Sequence, residues 1–140
     1  MTFDTNDVAL MALCMWKEAR GEKCVGMRAV GHVIANRIGK SGFAATLHDV
    51  IMGKNQFSSM TLIGDPEFNL QPAADDSQYA YCLSIAPQIL NGTDVDNTFG
   101  AVFYANETTA TSGWYFDNII KSGLYPVTAV IGRQTFRKHV

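Results

Sequence analysis

No part of this 140-residue chain is apolar enough to cross a bilayer as a helix. Its longest run of purely apolar residues, 8–16, has nine members where about 20 are needed, so membrane insertion is not expected. A secretory leader is not expected either. The opening "MTFDTND" has neither a basic region nor a cleavage site of small residues, which points to synthesis in a cytoplasm. Charge of one sign is not in excess: 11 Lys and Arg against 13 Asp and Glu give a net charge of −2, no footprint for nucleic acid. Cysteine is scarce and odd in number. Cys14, Cys24 and Cys82 have no metal-ligand spacing, so reduced structural thiols are expected and no metal or cofactor is called for. Repeats, low-complexity tracts and linkers are absent too. What remains is an ordinary globular composition, 47% hydrophobic and 17% charged, for one monomeric domain over residues 1–140.

The first helix is expected from residue 5 or 6, capped by Thr5 or Asn6, to about residue 20, with Gly21 to end it. Apolar on every side between residues 8 and 16, it should be the buried central helix. A second helix is expected over 25–38, stopped by Gly39, with Gly26, Ala29, Gly31 and Ala35 allowing another helix to come close. "TLHDVIMG" offers a short third helix, with Thr46 as cap, Asp49 as its box partner and Gly53 as stop. Residues 54–71 read as an irregular loop, a length that is usually functional. Pro72 suits the first turn of a helix over 73–90, with Pro87 set to kink or split it and Asn91-Gly92 to end it. Beyond Gly92, "AVFYA" and "YPVTAVIG" read as strands between turn-rich segments, which makes the class α+β: mainly helical, with a small extended C-terminal portion.

The chemistry gathers in "WKEARGE". The residues three, four and seven before Glu18 are Met15, Cys14 and Met11, so Glu18 continues an apolar stripe at the negative end of its helix. Scarce water and the helix dipole both favour a carboxyl group that keeps its proton, the group that glycosidic cleavage uses. The plainer reading is a helix-end glutamate paired with Arg20 or Arg28. Glu22, four residues on, is expected to be a solvated surface group.

"WKEARGE", "GMRAVGHVIANRI", "QFS", "ILNGTDVDNTFGAVFYAN", a Trp and the closing "IGRQTF" together resemble the spore-cortex-lytic type of cell-wall hydrolase, in that family's order and over residues 8–136. The resemblance implies a lysozyme-like or lytic-transglycosylase-like fold. It also implies cleavage of bacterial peptidoglycan between N-acetylmuramic acid and N-acetylglucosamine, with Glu18 as the single catalytic acid and base. It places Gln56 and Ser58 on the substrate cleft and points to Tyr104 and Trp114 as further substrate-binding residues, with Phe57 a core anchor. Asp94, Asp96 and Thr98 fall in the family's turn, where turn formation by side-chain-to-backbone bonds is preferred. The closing block has Gln134 where the family usually has a histidine, and a structural role is expected there. No separate wall-binding module fits beside the catalytic one, and a bacteriophage endolysin acting at the host wall is the expected origin, with a bacterial remodelling enzyme as its rival.

An inverting hydrolase would need a second carboxylate about 6.5–9.5 Å from the acid, and a retaining one a nucleophile at about 5–5.5 Å. Glu22, Asp94, Asp96 and Glu107 are the candidates, and none stands out. The resemblance therefore favours a lytic transglycosylase over a water-using muramidase. In that route Glu18 takes a proton back from the muramic C6 hydroxyl and a 1,6-anhydro ring closes. Competing classes are a thiol peptidase through Cys14, a zinc amidase through His32, His48 and His139, and a non-catalytic peptidoglycan-binding or virion module. The first has its cysteine in an apolar helix and the second lacks ligand spacing.

Overall fold

The computed structural model describes residues 2–54 and 56–140; Met1, and Asn55 within the expected 54–71 loop, lie outside the described residues. Five helices precede a three-stranded sheet: α1 (Thr5–Ala19), α2 (Lys23–Arg37), α3 (Leu47–Met52), α4 (Ser58–Thr61) and α5 (Ser77–Leu90), then β1 (Phe103–Ala105), β2 (Val127–Ile131) and β3 (Gln134–Arg137). The mainly helical α+β class is therefore as the sequence implies.

Helix α1 is the central helix, packed against α2, α3, α4 and α5. Met11, Ala12, Cys14, Met15, Trp16 and Ala19 bury their side chains in the main core. Its cap is not Thr5 or Asn6 but Asp4. The Asp4 carboxylate accepts from the Asp7 N–H at 2.9 Å and Asp7 accepts from the Asp4 N–H at 2.9 Å, a reciprocal box that draws Thr5 and Asn6 into the first turn. A single 3₁₀ turn, Arg20–Glu22, links α1 to α2. Helix α3 has the expected cap, with Thr46 Oγ1 accepting from the Asp49 N–H. The 54–71 segment is not wholly irregular, since one helical turn, α4, interrupts it. Helix α5 starts later than Pro72 suggests because Asp76, accepting from the Tyr79 N–H at 2.8 Å, is the better cap. It runs unbroken through Pro87, which lies in its last turn.

The small residues of α2 act at one point above all. A methyl group at Gly31 would stand 2.8 Å from Ile89 Cδ1 and 3.0 Å from the Met15 thioether, where α1, α2 and α5 meet. In the sheet, β3 lies between β1 and β2, antiparallel to both, with Tyr104 opposite Phe136 and Ile131 opposite Gln134. The sequence pattern gives no warning of β3 as a separate strand. Gly132, at φ +58°, and Arg133 form the two-residue turn that folds it back on β2. Phe136 joins Ala29, Val33 and Ala101 in a second apolar cluster that seats the sheet on α2. A wide helical turn, Phe116–Ile120, also goes unannounced in the sequence.

Polar bonds clamp α2 to the segment entering β1. Asp94 accepts from Arg28 Nε at 2.7 Å and lies 2.7 Å from His32 Nε2. Asp96 accepts from the Thr98 and Gly100 N–H groups, the Thr98 hydroxyl and Asn36 Nδ2, all at 2.6–2.8 Å. Burial pushes both carboxyl groups up, but these donors outweigh it and hold both below the usual carboxylate range.

Two measurements follow from this frame. The Asp96 bonds stabilise the fold above about pH 4, the unfolded value, and that contribution is lost as pH falls through the depressed folded value. Asp96→Asn should thus cost about 1–3 kcal/mol in denaturant unfolding at pH 7, with the deficit narrowing below pH 4. At Gly31, Ala should change stability by less than about 1 kcal/mol. The flexible tips of Ile89 and Met15 can yield, and the helix gains about 1 kcal/mol from Ala. Leu at the same position overpacks the crossing and should cost at least about 2 kcal/mol.

Candidate active site

The last turn of α1 aims Glu18 into a cavity of about 780 Å³ lined by Arg37, Lys54, Gln56, Phe57, Phe103, Tyr104, Trp114 and Tyr115. Neither Arg20 nor Arg28 pairs with it. Arg20 forms a two-pronged bond with Glu67, and Arg28 is taken by Asp94. Glu18 instead meets two hydroxyls: Ser59 Oγ donates to Oε2 at 2.6 Å and Tyr104 Oη donates to Oε1 at 2.7 Å. The carboxyl group is thereby fixed between α4 and β1, half-buried.

Tyr104 can play only the donor's part. Burial foremost, then the neighbouring Glu18, pushes its phenol well above its ordinary value. Its ring stacks on Phe136 at 5.7 Å, so the register of β1 against β3 sets where the hydroxyl points. Burial also pushes the Tyr115 phenol up to about 12, and its oxygen has no hydrogen-bond partner among the described residues.

Ser58 and Ser59 are neighbours on one helical turn and so point about 100° apart. Ser59 is buried and reaches Glu18, whereas Ser58 is exposed, outside the cavity lining, and donates to Asp65 at 2.6 Å. Of the residues named for the cleft, Gln56, Tyr104 and Trp114 line it. Trp114 stands at its rim, 65% exposed, with its ring 6.4 Å from that of Phe103. Phe57 is 2% exposed and packs in the core while its edge reaches the cavity.

Lys17 is a residue that sequence reasoning passes over. It is only 7% exposed, and its ammonium donates to the carbonyls of Ser59 at 3.3 Å and Phe68 at 2.8 Å. The residue beside the acid thus holds the segment that carries the acid's serine partner. Its one signal was an amine adjacent to Glu18 in a helix otherwise apolar.

The other carboxylates are engaged elsewhere. Glu22, far from being a freely solvated group, bonds Arg133 at the β2–β3 turn. Glu107 holds Arg137 through two bonds of 2.7 and 2.8 Å, and Asp94 and Asp96 form the α2 clamp. Among the described residues, Glu18 is the one carboxylate lining the cavity. Cys14 is fully buried, and burial first, then Glu18, drives its thiol well above the ordinary value, the opposite of an activated nucleophile. No group of three or more His, Cys, Asp and Glu able to hold a metal occurs among the described residues. Gln134 opens β3, outside the cavity lining.

The family model described as Cell Wall Hydrolase matches residues 21–136, a span that begins just after Glu18. The spore cortex-lytic enzyme of Halalkalibacterium halodurans is 37% identical over 112 residues, 80% of this chain and 31% of that protein. The spore cortex-lytic enzyme of Oceanobacillus iheyensis is 34% identical over 136 residues, 97% of this chain and 43% of that protein. The chain thus spans less than half the length of these curated relatives. Among solved structures, the catalytic domain of the Bacillus cereus SleB protein superposes with a TM-score of 0.73 at 30% identity, covering 98% of this chain and 93% of that one. The catalytic domain of the germination-specific lytic transglycosylase SleB from Bacillus anthracis gives 0.72 at 29% identity, with 97% of each chain covered.

The serine pair offers a direct check of the geometry. Ser59→Ala removes a hydroxyl from Glu18 and should slow any acid-catalysed cleavage in this cavity about tenfold. Ser58→Ala should leave the rate within about twofold of the parent.

Proposed function

Because the chain belongs to the cell wall hydrolase family, we propose that it cleaves peptidoglycan glycan strands between N-acetylmuramic acid and N-acetylglucosamine as a lytic transglycosylase. The observation that carries this reading is the lone carboxylate: Glu18 lines the cavity without a second acid among the described residues, held by two hydroxyls. A mechanism that draws on water needs another carboxylate as base or nucleophile, and the four candidates are committed to arginines or to the α2 clamp.

In the proposed reaction Glu18 gives its proton to the glycosidic oxygen, and the bond from that oxygen to the muramic C1 breaks. The carboxylate so formed takes the proton of the C6 hydroxyl, whose oxygen bonds C1 and closes the 1,6-anhydro ring. Atoms and protons balance without water. Ser59 and Tyr104 keep the carboxyl group from rotating between its two proton transfers. The exposed Trp114 ring offers a flat face for a sugar, and Gln56 an amide for hydroxyl or acetamido groups. Ser58 keeps its proposed substrate contact only if a strand extends beyond the cavity toward α4. The named relatives are spore enzymes of bacteria, so the common substrate is the peptidoglycan of a wall or cortex; an endolysin's role in lysis is a narrower version of the same proposal.

Glu18→Gln keeps the shape and removes the acid. It should fold as the parent does, with an unchanged circular dichroism spectrum and melting curve, and lose at least about a thousandfold in cleavage rate. Mass spectrometry of parent digests should show fragments ending in an anhydro sugar. Fragments heavier by one water would establish the muramidase route instead, and an active Glu18→Gln would remove Glu18 from the chemistry.

A further inference from the structure

The chain has five arginines, and four of them pair with a carboxylate: Arg20 with Glu67, Arg28 with Asp94, Arg133 with Glu22 and Arg137 with Glu107. Arg37 alone has no ion pair among the described residues, although it is the most buried of the five at 6% exposed. Glu18 lines the same cavity but forms no ion pair with Arg37; a buried guanidinium without a bonded counter-charge is costly, and a site that keeps one is a candidate for recognition.

Its surroundings define what it can recognise. Nε donates to the Val102 carbonyl at 2.7 Å, and a terminal nitrogen reaches Gln56 Oε1 at a long 3.3 Å. That leaves most of the five donors of the fork without an acceptor among the described residues. The rings of Phe43, Phe57 and Phe103 lie 5.0, 5.1 and 5.6 Å from its central carbon, clothing the cation in aromatic surface. Both Arg37 and Gln56 line the cavity that holds Glu18, and Lys54 adds a second cation to its wall. An arginine fork set in aromatic walls suits a planar, two-oxygen anion.

We propose that Arg37, with Gln56 beside it and Lys54 on the same wall, is a receptor for the carboxylate of the 3-O-lactyl ether on the muramic ring, and that it seats this ring next to Glu18. The assignment rests on the glycan-cleaving reading above. It makes Arg37 a specificity-determining residue. The lactyl carboxylate binds best, a lactyl carbonyl capped by a peptide binds less well, and an N-acetylglucosamine ring, which lacks the group, binds least.

The test compares two preparations of peptide-free glycan strands, one with lactyl carboxylates intact and one with those carboxylates reduced to alcohols. The reacting C1, C6 hydroxyl and glycosidic oxygen are the same in both. The parent protein should lose about 10- to 100-fold in kcat/KM on the reduced strands, mostly through KM, as expected for a charge-assisted bond. Arg37→Lys, which keeps the charge but not the fork, should narrow that preference. Equal cleavage of the two strands by the parent protein would overturn the receptor and leave the glycan reading intact. Cleavage of neither would overturn the glycan reading, and the receptor with it. A folded Arg37→Lys with undiminished preference would take the assignment away from Arg37; should that variant not fold, the comparison on the parent protein decides.

Discussion

Two hydroxyls from separate elements meeting on one carboxyl group are the contact on which this structure turns. Ser59 comes from a single helical turn and Tyr104 from a three-residue strand, and neither element could stand alone. Each is held by something else: α4 by the Lys17 ammonium, β1 by pairing with β3 and by the stack of Tyr104 on Phe136. The carboxyl group is thus oriented by the tertiary fold rather than by its own helix. Its partners are neutral donors, and no ion pair among the described residues holds it.

The charged residues following Trp16 divide the task of building the cavity's surroundings. Lys17 and Arg20 fasten the 58–68 segment, through the carbonyls of Ser59 and Phe68 and through Glu67. Glu22 fastens the β2–β3 turn through Arg133. A run of charge at the end of an apolar helix is therefore a set of ties to separate parts of the chain, with the acid in their midst.

Much of this was readable from residue order. The apolar run 8–16 marked the central helix, and the stripe of Met11, Cys14 and Met15 led directly to Glu18. The small residues of α2 announced a close crossing, and Gly31 is where it occurs. What stayed hidden depended on phase or distance. Which of two adjacent serines faces the acid is set by the rotation of one helical turn, which composition does not encode. Lys17 drew no notice because its acceptors are backbone carbonyls 42 and 51 residues away, and carbonyls leave no mark in a sequence. Arg37 stands out only against the partners of the other four arginines, which residue order does not reveal. Strand β3 was obscured because its residues, Gln-Thr-Phe-Arg, bury only Phe136.

The adjacency of Lys17 and Glu18 in α1 has an evolutionary corollary. Neighbouring helical side chains diverge by about 100°, and here one direction leads to a structural anchor while the other leads into the cavity. Apolar identities along the helix can drift, since many shapes fill a core. Insertion or loss of a single residue between Met15 and Glu18 cannot be absorbed in that way, because it would swing the acid out of the cavity and strand an amine in the wrong place. Lineages carrying this domain should tolerate apolar substitutions along the helix while keeping Lys17 and Glu18 and refusing any change in the length of that stretch.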